Sequence, residues 1–147
     1  NRIEIGSRGI FKNLTIDMHL GNEMFCKIGQ GVKINGSLFI GFKDEKTSCI
    51  IGNGCLFGTG VEIRTTDYHP IYDRDTGKRI NVQKYPTTIG NHCWFAEGAL
   101  VLKNAQIPNN TIVGTRAIVT KSFDAEFTTI AGAPARVIKE NVTWENK

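Results

Sequence analysis

Apolar residues recur at every sixth position along this chain. Stepping from Ile89 gives Ile89, Phe95, Val101, Ile107, Val113 and Val119, a run that the 3.6-residue period of a helical face does not produce. Ile28, Ile34 and Ile40 form a second set and Ile51, Phe57 and Ile63 a third, with Ile10 and Ile16 extending the second backwards past Asn22. Two residues earlier a smaller or second apolar group often stands, as at Cys93, Ala99, Ala105, Thr111 and Ala117. Glycine often follows the repeated position, as at Gly29, Gly41, Gly52, Gly58, Gly90 and Gly114. Alternate residues of a strand face one side, so both apolar positions point inward and a glycine-tolerant corner then turns the chain. Three such strands close a triangular coil, and stacked coils bury a core that one repeat cannot bury alone. The pattern predicts an all-β fold, a left-handed parallel β-helix of hexapeptide repeats, occupying 1–147 as a single domain.

The frame breaks twice. Lys43-Asp44-Glu45-Lys46-Thr47 reads as a polar insertion, and RTTDYHPIYDRDTGKRINVQKYPT, about 64–88, reads as a protruding loop. Loops of this length are functional or disordered, and Tyr68, Ile71, Tyr72, Ile80 and Tyr85 argue for order. Ala133-Pro134-Ala135-Arg136-Val137-Ile138-Lys139 reads as a short helical cap over the end of the coil.

Charge and composition narrow the function. With 18 Lys plus Arg against 14 Asp plus Glu, the net charge of +4 falls far short of a nucleic-acid-binding stripe and suits an anionic small ligand. Cys26, Cys49, Cys55 and Cys93 show no CxxC pair, so they read as reduced thiols of a cytoplasmic protein. No apolar run is long enough to cross a bilayer and the start lacks a signal-peptide pattern, so no membrane insertion is expected. A start at Asn1 rather than Met suggests that upstream residues were trimmed.

The runs TTIGNHCWFAEGALV, IVGTRAIVTKSF and IAGAPARVIKE resemble the hexapeptide-repeat acetyltransferases of the galactoside, maltose and xenobiotic group. The run IRTTDYHPIYDRDTGKRIN, followed by IGNHCWFAEGALVL, is more similar to bacterial capsular and surface polysaccharide O-acetyltransferases. Together these runs span roughly residues 51–144. The resemblance implies an acetyl-CoA-dependent O-acetyltransferase acting on a sugar or polysaccharide hydroxyl, with His69 of Asp-Tyr-His-Pro as general base and direct transfer without an acyl-enzyme. It also implies a role for Trp94 in shaping the donor or acceptor site, and coenzyme A contacts at Trp94, Ala96, Thr115, Thr120, Lys121, Arg136 and Lys139. A backbone N–H near Ala96 or Glu97 is the expected oxyanion donor.

Each residue has a plainer reading. A lone loop His is commonly just solvated, and His19 and His92 are read that way. Trp94, between inward Cys93 and Phe95, must point outward and needs a partner, either a neighbouring chain or a loop. A homotrimer with its active sites in the clefts between coils satisfies that need. Cys93 shares its phase with Ala99 and Ala105 and belongs in the core rather than serving as a nucleophile. Asp67 and Asp73 both stand close enough to orient His69, a backbone carbonyl could serve as well, and the choice stays open. Two alternatives use the same scaffold: a γ-carbonic-anhydrase-like metal enzyme, which needs three His ligands meeting between chains, and a non-catalytic β-helix binding module. The three His here lack that spacing, and no metal is expected.

Overall fold

A computed structural model describes residues 1–147, as fifteen strands with no helix. They are β1 (Arg2–Ile5), β2 (Ile10–Asp17), β3 (Phe25–Ile28), β4 (Lys33–Gly41), β5 (Ser48–Ile51), β6 (Leu56–Phe57), β7 (Val61–Arg64) and β8 (Thr87–Ile89). They continue as β9 (Trp94–Phe95), β10 (Leu100–Val101), β11 (Gln106–Ile107), β12 (Ile112–Val113), β13 (Ile118–Val119), β14 (Thr128–Gly132) and β15 (Ala135–Glu140).

Parallel pairing stacks these strands on the three faces of a left-handed β-helix. The first face runs β1-β3-β5-β8-β11. The other two share β4, whose start pairs with β6 and whose end pairs with β7. The second face then continues through β9, β12 and β14, and the third through β10 and β13. Like residues lie over like, as the period of six predicts. Ile5, Ile28, Ile51, Ile89 and Ile107 form one column. Phe11, Ile34, Phe57, Phe95, Val113 and Ile130 form another, and Ile16, Ile40, Ile63, Val101 and Val119 the third. Within them the Phe57 and Phe95 rings stack with centroids 4.9 Å apart.

The corners work differently from the expectation. The chain turns at a residue with positive φ just before the next inward position, as at Gly54 before Cys55, His92 before Cys93 and Asn110 before Thr111. The glycine that follows each repeated apolar residue has another cause. A Cβ on Gly52 would lie 2.6 Å from the carbonyl carbon of Gly90 in the next coil, so the close approach of successive coils requires its absence. Beside this column runs a row of amides. Asn53 Oδ1 accepts the Gln30 N–H, Asn91 Oδ1 the Asn53 N–H and Asn109 Oδ1 the Asn91 N–H.

Two readings are corrected. Ile10 is 59 % exposed and pairs with outward Lys33, while Phe11 takes the place over Ile34. The first coil has one residue fewer at this corner, and a register shift between Phe11 and Asn13 restores Ile16 over Ile40. The tail is not a helical cap but a hairpin, with β15 antiparallel to β14. Pro134 disfavours helical geometry in the residue before it, and the free edge of β14 offers the ladder that Arg136, Val137 and Lys139 adopt.

Candidate active site

The protruding loop leaves the third face after Arg64 and rejoins the coil at Thr87. Its outer half is a small hairpin in which the Ile80 N–H donates to Ile71 O and the Asp73 N–H to Lys78 O. The Asp73 carboxylate accepts from the Thr76 N–H, the Thr76 hydroxyl and the Asp75 N–H. These bonds, led by the Thr76 N–H, hold its carboxyl below the ordinary value. Asp73 thus closes the hairpin tip and is not bonded to His69.

The inner half is clamped to the coil. Lys103, in the turn between β10 and β11, pairs with the Asp67 carboxylate. Arg79 pairs with Asp44 at 2.8 Å, and Asp44 also accepts from the Thr66 hydroxyl. Burial alone would raise the Asp67 carboxyl, but hydrogen bonds from Lys103 and Asn81 outweigh it and hold the group below its usual range. Gln83 bonds both backbone groups of Ser48, and Asn104 Oδ1 accepts the N–H groups of Lys84 and Tyr85. Asp67 is therefore committed to Lys103 and Asn81 rather than to the His69 ring.

His69 is exposed, and its imidazole makes no hydrogen bond within the chain. Tyr68 before it has φ +64°. The Tyr68 ring centroid lies 5.9 Å from Lys43 Nζ and 5.6 Å from the Arg64 guanidinium carbon, which fixes the approach to His69 from its N-terminal side.

Trp94 points outward from the second face and is 37 % exposed. It has a partner in its own chain, for Trp144 lies with its ring centroid 6.2 Å away. Trp144 also covers His92, which is therefore less free than the sequence suggested. Ala96 and Thr115 stand at the corner between the second and third faces. The Ala96 N–H already donates to Val113 O, whereas the Glu97 N–H has no acceptor in the chain. Of the two expected oxyanion donors, only Glu97 keeps its N–H free.

Thr120 and Lys121 follow β13 at the corner from which the loop projects, with Lys121 Nζ 5.4 Å from the Phe123 ring centroid. Arg136 and Lys139 lie exposed on β15. The predicted residues therefore divide. His69, Thr120 and Lys121 stand along one prism edge and Ala96 and Thr115 along another, while Trp94, Arg136 and Lys139 belong to the second face and its hairpin. Within the chain Trp94 meets Trp144 and the His69 backbone meets Asn81, with no hydrogen bond or ring contact joining His69 to Trp94.

Cys93 is buried and donates its S–H to Pro108 O at 3.2 Å. Burial pushes the Cys26 thiol up to about 12, and the neighbouring Cys93 thiol together with burial raises Cys55. These thiols are core groups. The largest concavity, about 390 Å³, lies against Glu4, Gly6, Lys27, Gln30 and Asn53, where none of the predicted residues stands. No three His, Cys, Asp or Glu side chains converge as a metal-binding group, and no helix is long and apolar enough to cross a membrane.

Sequence reasoning missed Asn81, Lys103, Arg79 and Asp44. Asp67 and Lys103 are 36 positions apart, so no local pattern marks the pair.

No family model matches the chain. The polysialic acid O-acetyltransferase of Neisseria meningitidis is 43 % identical over 113 residues, which cover 77 % of this chain and 51 % of that protein. The chain thus spans about half the length of that relative. A crystal structure of a polysialic acid O-acetyltransferase superposes with a TM-score of 0.68 at 28 % identity, covering 97 % of this chain and 92 % of that one. A galactoside acetyltransferase in complex with coenzyme A gives a TM-score of 0.63 at 22 % identity, over 92 % of this chain and 74 % of that one, a likeness of fold. In sequence this chain is similar to polysialic acid O-acetyltransferases, and its fold is that of the hexapeptide-repeat acetyltransferases.

Proposed function

We propose that this chain transfers an acetyl group from acetyl-CoA to a hydroxyl of a sugar or bacterial surface polysaccharide, with His69 as general base. The likeness to polysialic acid O-acetyltransferases supports the acceptor class and makes polysialic acid the first acceptor to test. One observation carries the base assignment: an exposed imidazole with no partner in its chain stands on backbone clamped to the coil on both sides.

In this reading the hydroxyl passes its proton to His69 as its oxygen attacks the thioester carbonyl. The Glu97 N–H, preorganised by its corner, stabilises the tetrahedral oxyanion. Collapse releases coenzyme A thiolate, to which the imidazolium returns the proton, and no side-chain nucleophile is needed. Trp94, Ala96, Thr115 and Thr120 line the donor path, and Lys121, Arg136 and Lys139 offer cations to its phosphates.

Because these groups occupy different edges of one prism, the site is completed between copies, and the working unit is a homotrimer in the cytoplasm. Packing about a threefold axis would also cover Ile71, Tyr72, Ile80 and Tyr85, all more than half-exposed or close to it in one chain.

The test is thiol release from acetyl-CoA against polysialic acid and a panel of other capsular acceptors. His69→Ala should slow turnover by about 10²–10⁴-fold while oligomer mass and coenzyme A binding persist. Full turnover in that variant removes the base assignment. Silence with every acceptor supports the non-catalytic binding module, and stoichiometric zinc supports the metal-enzyme alternative.

A further inference from the structure

We propose that Asn81 is the positioning residue for His69, an assignment that rests on the general-base reading above. Asn81 is only 7 % exposed, and its carboxamide makes four hydrogen bonds within the loop. Its Oδ1 accepts the Ile71 N–H at 2.8 Å and the Arg79 Nε–H at 3.1 Å. Its Nδ2 donates to Asp67 Oδ2 at 2.8 Å and to His69 O at 2.9 Å. One carboxamide therefore grips residues 67, 69 and 71, the three alternate positions that bracket the imidazole.

Both flanking groups are themselves anchored. Asp67 is held by Lys103 on the coil and Arg79 by Asp44 in the insertion after β4. Lys103–Asp67–Asn81 and Asp44–Arg79–Asn81 are two braces that meet at the His69 carbonyl. The task demands an amide, because only a planar group with a donor and an acceptor side satisfies all four contacts at once. Aspartate would set a carboxylate against Asp67, and an aliphatic residue would leave buried partners unsatisfied. The His69 ring has no hydrogen bond of its own within the chain, so its location is inherited from this backbone.

The experiment compares Asn81→Ala, Asn81→Asp, His69→Ala and Gln83→Ala with the parent protein. Gln83→Ala unties the same loop from Ser48 without touching residues 67–71. Turnover is measured with acetyl-CoA and polysialic acid, or whichever acceptor the panel identifies, and amide exchange is followed at residues 67–71. Both Asn81 variants should accelerate exchange at Ile71 and lower kcat on the order of ten- to a hundredfold, the scale of a misplacement of about 1 Å, with the KM for acetyl-CoA held within about twofold. Gln83→Ala should leave kcat near that of the parent.

Faster exchange with undiminished kcat in the Asn81 variants would overturn the proposal, as would an equal loss in Gln83→Ala. Should Asn81→Ala fail to fold, the nearly isosteric Asn81→Asp still gives the same comparison. Full turnover in His69→Ala would instead bring down the base assignment, a result separate from slow His69→Ala paired with normal Asn81 variants.

Discussion

Trp144 lies flat on His92, with ring centroids 4.5 Å apart and planes within 9° of parallel, and gives its indole N–H to the His92 carbonyl. At 8 % exposure it is the one residue of the last segment that behaves as core. Trp144→Ala should cost about 3 kcal/mol and leave Trp94 more exposed. Trp144→Phe keeps a ring on His92 and loses only the indole hydrogen bond, worth about 1 kcal/mol. Urea unfolding followed by Trp94 fluorescence checks both, and equal losses in the two variants would contradict the stacking account.

The column through Phe57 and Phe95 should dominate the stability of the middle coils. Both rings are fully buried and stacked on each other. Phe95→Ala should lower stability by about 3–5 kcal/mol, measured by chemical denaturation. Cys93→Ala next to it removes a far smaller group and should cost much less, with turnover retained.

Acid should loosen the protruding loop before it unfolds the coil. The carboxyls of Asp67 and Asp73 are both depressed in the folded chain, so the stability they lend is fully present above the ordinary carboxylate value of about 4. It is lost as pH falls through their lower folded values. Asp67 is partly exposed, so solvent screening keeps the effect modest. Protection of the amides of Asp67, Tyr68, His69 and Ile71, taken relative to the intrinsic chemical rate at each pH, should fall at low pH, and Asp67→Asn should show that looseness already at neutral pH.

Cations on β15 should govern donor affinity and not chemistry. Arg136 has no acidic partner, and its guanidinium rests only on the Ala135 carbonyl. Arg136→Ala should raise the KM for acetyl-CoA about tenfold with little change in kcat, since a charge-assisted contact removed from ground state and transition state alike acts on binding. Steady-state kinetics with varied acetyl-CoA decide this, and a collapse of kcat at constant KM would reassign the residue.

The period of six was enough to mark Ile28, Ile51, Phe57, Ile89 and Phe95 as inward, because alternation and a regular corner repeat every six residues, whereas the columns they form follow from the pairing of coils across the two insertions. It slipped at Ile10, where one corner is a residue short and an exposed Ile stands beside inward Phe11. The tail was misread because alternation over Ala135–Lys139 is brief, and its strand form depends on the edge of β14. His69 was legible through the Asp-Tyr-His-Pro resemblance. Asn81 was not, since the partners it braces around His69, at Asp67, His69 and Ile71, lie 10 to 14 residues away and nothing in its neighbourhood of sequence distinguishes it from an ordinary loop amide.

The row of amides at Asn53, Asn91 and Asn109 ties four successive coils together, since each side chain caps a backbone N–H of the coil before it. Such a lattice of nearest-neighbour bonds melts like a zipper and not like a globule. The His69 loop is inserted between β7 and β8, that is between the coil of Asn53 and the coil of Asn91. The bond from the Asn53 N–H to Asn91 Oδ1 therefore ties together the two coils that carry the ends of the loop, and opening that one rung would part the footings of His69 while rungs on either side stay wound.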